Sequence, residues 1–355
     1  MNFSSETFLA RLIYNFWENF FLILWTIFLT LIWIFLVKKF FPKFWLMDFP
    51  EKFWHNRESV PYSAWVIIPI IFFIIIFAIF PISKPLLWFF FASMILVVTS
   101  FIDDRKWLSP VFRLWIQWLV AWIIVASWIW VNEVLNPLWW VLDLTIWWFE
   151  VLWHMFYPIA DFLIFFWIIW MINTMNWIDW ISWNTSWISA LSGWLLYFLA
   201  ISPFVGQPDI AQMFLVFAVI TTIFFFFDLE KPSILMGDSW SMFLWFAIAV
   251  FAIFAGWKMA TAMIIMWIPI FDAFYTVYRR IKNWVNPLKW DAKHFHHILL
   301  EKWFSRRNSV FIYILLSASF WIPTVFLDTE GKFVLLITLC VFMGFLQVFL
   351  RRCLK

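Results

Sequence analysis

Long apolar runs alternate with short polar breaks along the whole chain. Eleven runs are long enough, or nearly so, to cross a hydrocarbon layer as helices: residues 18–37, 64–81, 86–102, 112–131, 157–173, 186–203, 210–227, 240–255, 259–278, 309–327 and 333–350. The pattern predicts an all-α integral membrane protein of about eleven transmembrane helices, with 1–355 forming a single multi-pass domain. One stretch departs from it. NPLWWVLDLTIWWFEVLW, residues 136–153, holds two short β-prone runs on either side of Trp147-Trp148. It predicts a short hairpin within 132–156.

Charge then orients the runs. With the 38–63 loop placed in the cytoplasm, twenty Lys and Arg fall on that side and four on the other. Positive residues in short loops stay inside, so the N-terminus is expected outside, the C-terminus inside and 132–156 external. The first residues, MNFSSETFLARL, lack a basic stretch and a small-residue cleavage site, so the first span is expected to be retained.

Composition sharpens the class. The chain is 66% hydrophobic and 13% charged, against about half and about a quarter in soluble domains, which excludes an ordinary soluble fold. A net charge of +3 says little about partners until the charges are placed by side; no nucleic-acid partner is expected. Cys340 and Cys353 imply no disulfide framework.

Four polar clusters interrupt the apolar chain: FIDDRKWLSP (101–110), NTMNWIDWISWNTS (173–186), SILMGDSWS (233–241) and KWDAKHFHH (289–297). The charge-derived topology puts all four on the cytoplasmic side, which points to one active site there. Adjacent Asp103 and Asp104 repel unless a cation intervenes. They also read as a solvated helix end balanced by Arg105 and Lys106. Asn173, Asn176 and Asp179 recur every three residues and could share a helix face. Their oxygens suit Mg²⁺, which keeps waters and binds substrate phosphates; a helix end capped by Asn is the plainer reading. Asp238 follows Gly237 at a span start, as a metal ligand or an N-cap. Asp272, two turns before Arg279 and Arg280, is an intramembrane carboxylate and so a functional candidate. His294, His296 and His297 lie in the basic loop 279–308. That spacing suits zinc poorly; it suits phosphate binding, or an anionic-lipid patch.

Glycine and tryptophan are out of proportion. Average usage would give roughly 25 glycines; the chain has 6, and 33 Trp. Several Trp stand in polar loops, among them Trp107, Trp177, Trp180, Trp183 and Trp240. With glycine in place of the loop tryptophans the clusters read DDRKGLSP, NTMNGIDGISG, MGDSGS and DAKHFHH. In that order they resemble the motifs of the polyprenyl-phosphate N-acetylhexosamine-1-phosphate transferases, glycosyltransferase family 4. The segment KKFFPKFWLMDFPEKFWHNRESVPYS, with Asp48, His55 and Pro61, resembles that family's first cytoplasmic loop. The resemblance runs from about residue 38 to 307.

The resemblance implies a bacterial cytoplasmic-membrane enzyme with its site on the cytoplasmic face. It would transfer N-acetylhexosamine 1-phosphate from a UDP-N-acetylhexosamine to undecaprenyl phosphate and release UMP. Asp238 would hold Mg²⁺, or Mn²⁺ in its place, helped by Asn176 or Asp179. Asp103, Asp104 and Asp179 would be catalytic. Asn173, Asn176, Ser182, Asp272, Arg279, Arg280, His294, His296 and His297 would bind substrate. Ser182 stands where many relatives carry a second Asp in the nucleotide pocket. Asp291-x-x-His294-x-His296-His297 favours the N-acetylglucosamine branch over the muramoyl-pentapeptide branch. A homodimer is left open. The family expects glycine at Trp54, Trp107, Trp180, Trp183 and Trp240, which suggests codons read as glycine in the cell and as tryptophan in this translation. An inactive, Trp-filled paralogue is the alternative. A lipid-linked anion transporter is the rival from another class; it should carry polar groups near the bilayer midplane.

Overall fold

The computed structural model describes residues 5–44, 47, 59–61, 67–106, 108–127, 133–135, 141–151, 154–176, 184–202, 206–228, 234, 238–254, 264, 267–284, 306–327 and 329–352. Among these, twelve α-helices are defined: α1 (Ser5–Glu18), α2 (Phe20–Phe40), α3 (Ile67–Ile79), α4 (Lys84–Lys106), α5 (Pro110–Ala126), α6 (Pro158–Asn176), α7 (Asn184–Ile201), α8 (Pro208–Asp228), α9 (Asp238–Phe254), α10 (Trp267–Lys282), α11 (Arg306–Phe326) and α12 (Thr329–Arg352). A helix overlaps each of the eleven expected segments, with ends that differ by several residues. Three described spans, Phe20–Phe44, Lys84–Lys106 and Pro208–Asp228, are long and apolar enough to cross a membrane. Six shorter apolar helices accompany them.

Helix α1 departs from the expected start at residue 18. Arg11, Glu18 and scattered polar residues break its apolar pattern, so no membrane-length run marks it. Backbone bonds from Asn19 to Asn15 and from Ile23 to Asn19 carry it almost directly into α2.

The local rules are visible in the helices. Ser109 caps α5 by accepting from the Phe112 amide at 3.2 Å, with Pro110 in the first turn, where a missing N–H costs nothing. Thr26 and Thr30 sit buried in the apolar α2, and each hydroxyl donates to the carbonyl four residues back, at 2.7 Å. That satisfies polar groups where water is absent.

The β segment differs from the expected single hairpin. Two two-stranded sheets form, Glu133–Leu135 (β1) with Val141–Asp143 (β2), and Phe149–Val151 (β3) with His154–Phe156 (β4). The β3–β4 pair is antiparallel, with Glu150 opposite Met155. Trp147-Trp148 lies between the sheets rather than at a turn. The chain is punctuated instead at Asp143, whose carboxylate accepts from the Thr145 amide and hydroxyl, an Asx-type turn. Those bonds hold the Asp143 carboxyl below its usual range.

The chain divides into two compact units, 1–134 with 141–257, and 135–140 with 258–355. In the first, α9 packs against α4, α6 and α7, and α8 against α2, α3 and α7. Its core holds an aromatic cluster from four helices. Phe72 and Phe73 of α3, Phe89 of α4, Phe217 of α8, and Phe243 and Phe251 of α9 have successive ring centroids 5.1–6.4 Å apart, mostly edge to face. In this core α7 and α8 approach closely at Gly193. A Cβ there would lie 2.8 Å from the Ala218 Cα, which only glycine avoids. The second unit packs α12 against α10 and α11 around Trp267, Leu339 and Met343.

Candidate active site

Side-chain contacts fix which helix ends of the first unit meet. Ser100, near the end of α4, donates to the Met242 sulfur near the start of α9 at 3.2 Å. Asn173, near the end of α6, donates to Gln117 in the early part of α5 at 2.6 Å. Ser186 at the start of α7 donates to Asp228 at the end of α8 at 2.9 Å. The Trp167 indole on α6 donates to the Ala249 carbonyl on α9 at 3.2 Å, as antiparallel partners require. Lys38 at the end of α2 reaches the Phe227 ring, 6.0 Å from its centroid. The ends of α2, α4, α6 and α8 and the starts of α5, α7 and α9 therefore lie at one end of the first unit. Asp103, Asp104, Asn173, Asn176 and Asp238 all belong to that end. At the opposite end, Gln212 donates to Asn19 at 2.9 Å.

Asp103 and Asp104 end α4 but occupy different settings. Asp103 is 9% exposed. Its Oδ1 accepts from the Leu108 amide at 2.6 Å, and its Oδ2 pairs with Arg113 Nη1 at 3.2 Å. It thus ties the short connection from α4 to α5. Asp104 is half-buried beside it.

Asn173 is also held. Its amide nitrogen donates both to Gln117 and to the Ile169 carbonyl one turn back, at 2.8 Å. Gln117 is buried on α5. An amide inside an apolar layer needs such a partner.

Four residues of this end were missed in the sequence. Arg113 is one of the basic residues that orient the spans, and Gln117 lies within the expected 112–131 span. Ser186 closes the 173–186 cluster without a role of its own, and Asp228 lies outside every cluster. The one available signal was Asp228: a carboxylate closing an apolar run, and only 1% exposed.

Asn176 and Asp238 are placed as the last residue of α6 and the first of α9; their side chains lie outside the described set. Asp179, Ser182, His294, His296 and His297 lie outside the described residues, as do Asp48, His55, Trp54, Trp107, Trp177, Trp180 and Trp183. Met47 pairs with Pro61 in an antiparallel bridge, which closes the first long loop at its base.

In the second unit, Asp272 and Arg280 are buried on α10 with Thr276 between them. Their spacing of four places all three on one helix face. Arg279 is half-buried.

For a divalent cation, the donor chemistry at the shared end fits. Carboxylate and amide oxygens there suit a hard ion such as Mg²⁺. Among the described residues, no three His, Cys, Asp or Glu side chains converge on one point.

Together these features define a polytopic membrane protein with a carboxylate- and amide-lined site at one end of its helices. Residues 86–256 match the glycosyl transferase family 4, a stretch that reaches from the start of α4 to just past α9. The helices that assemble this site lie within that matched stretch. Over 262 residues the chain is 27% identical to the probable undecaprenyl-phosphate N-acetylglucosaminyl 1-phosphate transferase of Bacillus subtilis (strain 168). The match covers 72% of this chain and 70% of that protein.

Proposed function

We propose that the protein transfers N-acetylglucosamine 1-phosphate from UDP-N-acetylglucosamine to undecaprenyl phosphate at the cytoplasmic face of a bacterial membrane. The observation that carries this reading is the gathering of Asp103, Asp104, Asn173, Asn176 and Asp238 at one end of the family 4 helices. The activity for which the Bacillus relative is named supplies the substrate class.

In this reaction an oxygen of the lipid phosphate attacks the sugar-bearing phosphorus of the donor. The diphosphate P–O–P bond breaks, UMP leaves with the bridging oxygen, and a lipid diphosphate sugar remains. Such a transfer asks the protein chiefly for alignment and charge neutralisation. Asp103 is held in its turn by Leu108 and Arg113, and Asp103 with Asp104 would face the lipid phosphate. Either carboxylate would orient that phosphate and accept its proton. Asn173, steadied by Gln117, would present its carbonyl oxygen to the donor. Asp238, with Asn176 or Asp179, would hold Mg²⁺. A bound Mg²⁺ neutralises charge on the donor diphosphate and the departing UMP. The basic loop with His294, His296 and His297, and the α10 residues Asp272, Arg279 and Arg280, would hold phosphate or sugar groups.

Glycine at Trp54, Trp107, Trp177, Trp180, Trp183 and Trp240 is part of this proposal. Indoles beside phosphate oxygens would block close approach of the backbone. UMP release by the purified, glycine-containing protein, given UDP-N-acetylglucosamine and undecaprenyl phosphate, tests the reading. No UMP above a lipid-free control would overturn it.

A further inference from the structure

Helix α10 ends in a geometry that belongs to glycine. Trp284 has φ 56, in the left-handed region, and among the described residues it is the one non-glycine with positive φ. Its amide donates back to the Ile281 carbonyl at 3.0 Å, and the Asn283 amide donates to the Arg279 carbonyl at 3.1 Å. The Trp284 bond is the inner one of the two that mark a Schellman-type cap, whose left-handed residue is usually glycine because a Cβ crowds the neighbouring carbonyl. Gly206, at φ 60, shows the same requirement met by glycine elsewhere in the chain. The Trp284 side chain gains nothing in return: it is 97% exposed. An interfacial aromatic belt would account for the exposure. It does not account for the backbone.

A second, independent observation concerns buried indoles. Trp nitrogen is a donor only and needs an acceptor when water is absent. Trp167 donates to the Ala249 carbonyl at 3.2 Å, and Trp194 to the Thr222 hydroxyl at 3.0 Å. By contrast, the buried indole nitrogens of Trp187, Trp245 and Trp267 have no hydrogen-bond partner. Each lies on a packed helix, where glycine would let neighbouring backbones draw together.

We propose that the native chain carries glycine at 284, and also at 187, 245 and 267, while 167 is a true tryptophan. Glycine decoding then reaches beyond the polar loops, into a helix cap and the helix-packing surfaces. The backbone of α10 and the indole bonding pattern carry this without reference to the reaction.

Peptide mass mapping of the protein purified from its own cells tests it directly. Cleavage after Lys282 and Lys289 releases residues 283–289, and further peptides cover 167, 187, 245 and 267. We expect glycine masses at 284, 187, 245 and 267, and a tryptophan mass at 167. Tryptophan at 284 overturns the cap argument. Glycine at 167, or tryptophan at 187, 245 and 267, overturns the use of indole bonding to separate the two kinds of position. UMP release plays no part in the readout, so an inactive protein would leave the result intact.

Discussion

Arg113 Nη1 lies 3.2 Å from Asp103 Oδ2, while the Leu108 amide donates to the other oxygen of the same carboxylate. One side chain thereby closes the turn between α4 and α5 and anchors a cation from the next helix. Asp103→Ala should lower stability by roughly 1–3 kcal/mol, the cost of leaving a buried donor unpaired. Arg113→Ala should cost less, roughly 0–1 kcal/mol, because Arg113 is partly solvated. Thermal unfolding of both variants in the same detergent gives the ranking; a larger loss for Arg113→Ala would refute the tether.

Asp104 and Asp238 are expected to behave in the opposite way. Asp104→Asn and Asp238→Asn keep shape, and Asn caps a helix nearly as well as Asp. We expect unfolding temperatures close to the parent and turnover lowered by about a hundredfold or more, as when a transition-state donor is removed. The glycine-containing protein is the background for both. Near-parent turnover in Asp238→Asn, with Mg²⁺ dependence kept, would move the metal site towards the α4 end.

Gln117 accepts from the Asn173 amide nitrogen, across α5 and α6. Gln117→Leu should reduce turnover by roughly ten- to a hundredfold, the range seen when a supporting partner is lost. The double variant Gln117→Leu with Asn173→Leu should recover much of the lost stability, because neither polar group is then left unpaired. It should not recover turnover. Recovery of both would show that the pair only packs α5 against α6.

Gly193→Ala places a Cβ 2.8 Å from a backbone atom of Ala218. Overpacking of this kind costs about 1–3 kcal/mol. Thermal unfolding reads the loss, and an unchanged midpoint would mean that α7 and α8 can separate freely.

The sidedness rests on Lys and Arg placement. A single cysteine at Ser83 should label from outside, and one at Asn308 only after the membrane is opened. Labelling of Ser83 from the cytoplasm would invert the arrangement and move the polar helix ends to the outer face.

Much of this architecture is legible in the chain because apolar length alone marks a buried helix in a membrane protein. The Ser109-Pro110 start of α5 is a local signal and was equally readable. Helix α1 was not, since its polar residues leave no long apolar run. The β segment was misplaced because its true punctuation is Asp143 with Thr145, a weaker signal than a glycine pair. At the site, Asp103, Asp104 and Asn173 stood out as polar clusters. Their partners did not: Arg113 is ten residues from Asp103, and Gln117 is 56 from Asn173. Pairings of that kind are set by helix packing, which no local pattern encodes. The Ser186–Asp228 bond is the same case, formed between the far ends of two helices.

The close approach at Gly193 also bears on how the lipid of the proposed reaction would reach the polar end. Helices α7 and α8 share the most intimate seam in the first unit, with too little room even for a methyl group. They behave as a single stave and offer no slit for a hydrocarbon chain. On the proposed reaction, a tail arriving sideways from the bilayer has to slip between other staves. A sparser boundary exists where α2 meets α3. The lipid's doorway is therefore set by where glycine is absent from a helix contact as much as by where it is present.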